Sequence, residues 1–167
     1  MFYSKIKVND VANGPGLRVS LFTSGCTHHC KGCFQPETWN FNNGEPYTSD
    51  VQKNIIEKSH SKYIAGLSLL GGDPLDNVEG ILTLLKEYRE VFGNTKTIWL
   101  WTGYLFEEII NDEQMSKVLP FVDVIIDGQF IEDLKDITLK YKGSTNQRVI
   151  DIPKTMETGS IVLYDEN

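Results

Sequence analysis

The chain has 167 residues, 40% of them hydrophobic and 23% charged, a size that sustains one hydrophobic core and leaves little room for a second, so residues 1–167 are read as a single compact domain. A net charge of -7 and a pI near 4.9, with no basic cluster, argue against a nucleic-acid or anionic-membrane partner. The first ten residues carry no apolar leader and no run of about 18 apolar residues occurs, so a cytoplasmic protein is expected.

In chain order, the turn Asn13-Gly14-Pro15-Gly16 leads into a predicted strand over 18–23, with Arg18 taken as a surface residue. That strand runs into the loop that holds all three cysteines. A helix follows over 49–59, with Thr48 or Ser49 able to cap it, then a strand over 67–70 that ends in Gly71-Gly72-Asp73-Pro74. The helix over 77–92 carries an apolar stripe of Ile81, Leu82, Leu84, Leu85 and Tyr88. A strand over 97–101 ends in Thr102-Gly103-Tyr104, and a helix over 104–110 extends through 115–119. The last strands are 122–126, ending in Asp127-Gly128, and 148–152.

Strands alternating with helices predict an α/β fold with a mainly parallel sheet, in which ligands bind beyond the carboxyl ends of the strands. The cysteines, Gly71-Gly72-Asp73, Thr102-Gly103 and Asp127-Gly128 all fall at such ends. A complete eight-stranded barrel takes about 250 residues, so a chain of this length can form only part of one. A partial barrel has a lateral opening, through which a segment of a large protein substrate can enter.

Cys26, Cys30 and Cys33 follow a C-x3-C-x2-C spacing and have no fourth cysteine to join them. Four thiolates normally hold a cubane iron-sulfur cluster, so three would leave one iron open to a small molecule. Gly25, Gly32, His28 and His29 make a buried helix face a poor alternative. A Cys3His zinc site using His28 or His29 is a second alternative by ligand type, and the odd count disfavours disulfides. Gly71-Gly72-Asp73 reads either as a plain turn or as backbone that lets a ligand approach, with a carboxylate to receive an ammonium. His60 reads as a helix-end residue. Neither a Ser-His-Asp constellation nor a phosphate loop is evident, so hydrolase and nucleoside-triphosphatase readings gain no support.

The order of these motifs resembles the radical S-adenosylmethionine enzymes, in particular their branch that activates anaerobic (class III) ribonucleoside-triphosphate reductases. The resemblance runs through Asn13 to Arg18, Gly25-Cys26 through Cys33-Phe34, Thr38-Trp39, Gly71 to Pro74, Trp101 to Tyr104, Asp127 to Phe130 and Gly143 to Arg148. Gly32 stands where the wider family usually has an aromatic residue, and Asp73 where it tends to have Glu; both agree with this branch. Lys142 stands where the branch leads one to expect Arg.

The resemblance implies a partial (βα)6-type barrel, open laterally. It also implies a 4Fe-4S cluster on Cys26, Cys30 and Cys33 whose open iron takes the amino and carboxylate groups of S-adenosyl-L-methionine. Gly71, Gly72 and Asp73 would meet the methionyl ammonium, Gly32, Cys33 and Phe34 would lie along the adenosine, and Thr102 and Asp127 would stand behind them. Reductive cleavage to methionine and a 5'-deoxyadenosyl radical would then produce a glycyl radical on the large subunit of the reductase. With no cysteines for a second cluster, electrons would come from an external one-electron donor such as flavodoxin. An activase of the formate-lyase type is the alternative enzyme and a zinc adaptor the alternative without catalysis.

Overall fold

In the computed structural model, which describes residues 1–165, the central runs rich in β-branched and aliphatic side chains pair with more polar edge strands into one sheet of seven strands. They are β1 (Phe2–Asp10), β2 (Leu17–Thr23), β3 (Glu45–Pro46), β4 (Ile64–Gly71), β5 (Thr97–Trp101), β6 (Val124–Asp127) and β7 (Arg148–Asp151), in the order β3-β1-β2-β4-β5-β6-β7. The central β2, β4, β5 and β6 pair in parallel. β1 and β3 extend one edge in antiparallel fashion, and β7 does so at the other. Helices α1 (Ser49–Ser59), α2 (Val78–Phe92) and α3 (Phe106–Ile110) connect the parallel strands, and α4 (Ile152–Thr158) follows β7.

The expected α/β class holds, and every predicted strand falls on an observed one to within a few residues. The sheet is not closed, and four strands rather than six run parallel. β1 is an element that the predicted strands do not include, although Lys5-Ile6-Lys7-Val8-Asn9 alternates polar and apolar residues with the lysines exposed and Ile6 half-buried. The helix over 104–110 begins at Phe106, whose N–H is taken by the Asp127 carboxylate at 2.9 Å. It does not run on to 119: the Asp112 carboxylate accepts from the backbone of Gln114 and Met115, and this turn restarts the chain as a separate 3-10 turn at Met115–Val118.

Strand alternation divides the side chains between two faces. Val19, Leu21, Leu67, Leu69, Ile98 and Leu100 pack under the helices, where α2 contributes Ile81, Leu84, Leu85 and Tyr88 at helical spacing. Burying each such side chain contributes roughly 1.5–3 kcal/mol. The opposite face carries Trp99, Val124 and Ile126, with Trp101, Tyr141 and Tyr164 against them.

Arg18 is not a surface residue, as the sequence suggested, but is 0% exposed. Its guanidinium donates to five neutral oxygens: Ser68 Oγ (2.7 Å), Pro15 O (3.0 Å), Thr97 Oγ1 (2.9 Å), Leu67 O (3.0 Å) and Thr97 O (2.8 Å). Ser68 Oγ in turn donates to Asn13 O at 2.6 Å. Burial pushes the Arg18 pKa down to about 10. At Gly14, with φ +112, a Cβ would meet Arg18 Cδ at 2.8 Å, which explains a glycine there. The Asn-Gly-Pro-Gly turn is thus a cap over a buried cation at the amino ends of β2, β4 and β5, leaving the carboxyl ends for chemistry.

Candidate functional site

The cysteine loop leaves β2 at the carboxyl edge of the parallel strands and is held by its own return segment. Gly25 N donates to Thr38 O at 2.7 Å and Cys26 N to Trp39 O at 3.3 Å. The Phe41 ring lies where a Cβ on Gly25 would come, at 2.2 Å, and Gly25 has φ +105. His29 is left-handed at φ +50 and stacks on Trp39 with ring centroids 4.5 Å apart. Cys33 N donates to Cys30 O at 3.1 Å, tightening the second half of the loop.

Two carboxylates of the turn after β4 grip this loop from the side. Asp73 is 1% exposed; its Oδ1 accepts from Leu75 N (2.9 Å), while Oδ2 accepts from Thr102 Oγ1 (3.0 Å), Gly103 N (2.9 Å) and His28 Nε2 (2.7 Å). Asp76 accepts from Thr27 N at 2.9 Å and from Tyr104 OH at 2.5 Å. The hydrogen bond to Asp73 raises the pKa of His28 against the opposing effect of its burial. A ring nitrogen of His28, Cys26 Sγ and an Asp76 oxygen lie within 4.8 Å of one another. The His28 nitrogens are nevertheless engaged, Nε2 by Asp73 and Nδ1 by Gln129 Nε2 at 3.2 Å. This arrangement speaks against His28 as the fourth ligand of a zinc site.

Cys26, Cys30, Cys33, Phe34, Gly71, Gly72, Asp73 and Thr102 line one cavity of about 470 Å3. Gly32 does not; at φ +76 it faces Glu132, which a Cβ would meet at 2.9 Å. Phe34 is 64% exposed at the mouth, beside Phe130 at 5.1 Å. Asp127 is buried behind the cavity, in an ion pair with Arg148 at 2.5 Å, and Arg148 also pairs with Glu107 at 2.8 Å. The hydrogen bond to Asp127 raises the Arg148 pKa. Lys142 Nζ donates to Gln147 O at 2.9 Å, and the Gln147 amide accepts from Gly143 N and donates to Gly128 O, both at 2.9 Å. The Gly143-to-Arg148 motif therefore pins the long β6–β7 loop over the site.

Trp39, His28, Phe130 and Tyr141 also line the cavity. Among the described residues, Trp39 Nε1 is buried with no hydrogen-bond partner. A Cβ on Gly72 would come within 2.5 Å of Gly25 O, so the backbone there is packed too closely for any side chain. Burial pushes the Cys26 thiol up to about 11 and raises Cys30 as well, which disfavours the thiolate at these two positions until a metal binds. Three cysteines lining one cavity, with the nitrogens of His28 already engaged, make a donor set that suits a sulfur-ligated iron cluster.

The family described as "4Fe-4S single cluster domain" matches residues 12–150. The anaerobic ribonucleoside-triphosphate reductase-activating protein of Salmonella typhimurium is 44% identical over 154 residues, covering 89% of this chain and 97% of its own. That of Escherichia coli K12 is 43% identical over 153 residues with the same coverage. The protein of the same description from Enterobacteria phage T4 is 44% identical over 151 residues, covering 89% of this chain and 93% of its own.

Proposed function

The chain belongs to the 4Fe-4S single cluster domain family and, within it, to the anaerobic ribonucleoside-triphosphate reductase-activating proteins, and from this membership we propose that it generates a glycyl radical on the large subunit of such a reductase. The observation that carries the reading is the convergence of three thiols with Gly71-Gly72 on one cavity at the carboxyl edge of the parallel strands. Held by Cys26, Cys30 and Cys33, the cluster would supply the one electron for reductive cleavage of the S-adenosyl-L-methionine sulfonium to methionine and a 5'-deoxyadenosyl radical, which would take one Cα hydrogen from the partner's glycine.

Cys26, Cys30 and Cys33 are the residues that would hold the cluster in this reading. Gly71 and Gly72 present backbone to the methionyl ammonium. The Asp73 carboxylate already accepts four hydrogen bonds from the protein, so it serves the ammonium by fixing this turn. Cys33 and Phe34 flank the adenosine, with Phe34 and Phe130 shielding the mouth from water. Thr102 holds Asp73 in place, and Gly32 acts through loop shape. The open sheet is read as a partial radical S-adenosylmethionine barrel whose lateral opening admits the glycine-bearing segment of the partner.

Flavodoxin or a similar small carrier supplies the electron, and the cytoplasm suits both the reduced thiols and the donor. Among the described residues no helix is long and apolar enough to cross a membrane. The test is anaerobic incubation of the reconstituted protein with the reductase large subunit, S-adenosyl-L-methionine and reduced flavodoxin. The expected result is a glycyl-radical EPR doublet on the reductase, with methionine released in proportion. A doublet formed only on a formate-lyase type enzyme would reassign the partner, and none on either would refute the reading.

A further inference from the structure

We propose that His28 is a positioning residue, the bolt that fastens the cysteine loop after β2 to the carboxyl ends of β4, β5 and β6. It lies between Cys26 and Cys30, and its ring reaches across all three strands. Nε2 donates to Asp73 Oδ2 after β4 at 2.7 Å, and Nδ1 meets Gln129 Nε2 after β6 at 3.2 Å. After β5, Asp73 Oδ2 also gathers Thr102 Oγ1 and Gly103 N, so the His28 ring and the β5 exit share one acceptor. Tyr104 packs against the ring with centroids 4.5 Å apart. Gly103 leaves the space that the ring fills: a Cβ there would lie 2.6 Å from His28 Cδ2 and 2.7 Å from Nε2. The inference rests on reading the loop as a cluster cradle, and it assigns the cradle's rigidity to a side chain that is not a ligand. The ring hydrogen-bonds to no cysteine and so acts one step behind the groups that orient metal ligands directly, whose loss weakens metal retention by about 10- to 100-fold; the low end of that range is the expectation for His28.

The experiment compares reconstituted wild-type protein with His28→Ala, Gly103→Ala, His28→Gln and the His28→Ala/Gly103→Ala double variant. The readouts are the rate of iron loss to a ferrous chelator, methionine released per glycyl radical formed, and thermal unfolding of the metal-free proteins. His28→Ala and Gly103→Ala are each expected to lose iron about tenfold faster than wild type and to release excess methionine, with unfolding of the metal-free protein little changed. Glutamine keeps a donor for Asp73, so His28→Gln should recover much of the retention. Once the ring is gone the Gly103 Cβ has nothing to displace, so the double variant should match His28→Ala alone. Iron retention at the wild-type rate in His28→Ala, or fully additive losses in the double variant, would overturn the proposal. A wild type that holds its cluster but forms no glycyl radical would refute the proposed function instead, and the chelator comparison would still stand.

Discussion

Replacement of Cys30 by alanine is expected to abolish cluster assembly and glycyl-radical formation together while leaving the fold in place. Cys30 sits in the middle of the loop, half-buried, and its backbone carbonyl, which accepts from Cys33 N, is retained in the variant. The seven-stranded sheet and both packed faces lie elsewhere and lose nothing. Two remaining thiolates cannot hold a cubane in which a third iron must also be anchored. Iron content and activation should therefore fall to background, with the circular dichroism spectrum and unfolding midpoint of the metal-free protein unchanged. Activation retained in Cys30→Ala would show that the ligand assignment is wrong.

Arg18→Ala is expected to destabilise the protein by about 4 kcal/mol, a large share of the roughly 5–15 kcal/mol that holds a domain of this kind together. The substitution leaves five oxygen acceptances unmet in the interior and opens a cavity beneath Trp99, whose ring lies 5.9 Å from the guanidinium carbon. Each orphaned buried acceptor costs roughly 1–3 kcal/mol, reduced where water enters the polar space. Arg18→Lys should lose less, because an ammonium retains the charge but cannot fork between Pro15, Ser68, Leu67 and Thr97 at once. Urea unfolding of the metal-free protein measures both, and a loss below about 1 kcal/mol for Arg18→Ala would show that the buried network is not what holds the Asn-Gly-Pro-Gly turn.

The same Arg18 marks where reading the sequence stops short. An arginine beside a Gly-Pro turn looks like surface, and only the pairing of β2 with β4 and β5 brings Ser68 and Thr97 to it. The cysteine loop and Gly71-Gly72 were legible because local spacing and strand-end position define them. The role of the Asp73 carboxylate was not, since three of its four donors, His28, Thr102 and Gly103, lie between 29 and 45 residues away along the chain. β1 was legible too, since Lys5-Ile6-Lys7-Val8-Asn9 alternates polar and apolar residues as an edge strand does, but its pairing with β2 and β3 is long-range. Lys142, conspicuous as a departure from arginine, keeps a backbone hydrogen-bonding role that either side chain could fill. Long-range polar pairing leaves no periodic trace in a sequence, whereas strand and helix patterning does.

The claim that three cysteines hold a cluster with one open iron is tested most directly by anaerobic reconstitution, iron and zinc analysis, and EPR of the dithionite-reduced protein before and after S-adenosyl-L-methionine is added. About four irons per chain and a reduced-cluster signal that changes with the added ligand are expected. Zinc in place of iron, or a cluster signal indifferent to S-adenosyl-L-methionine, would contradict it.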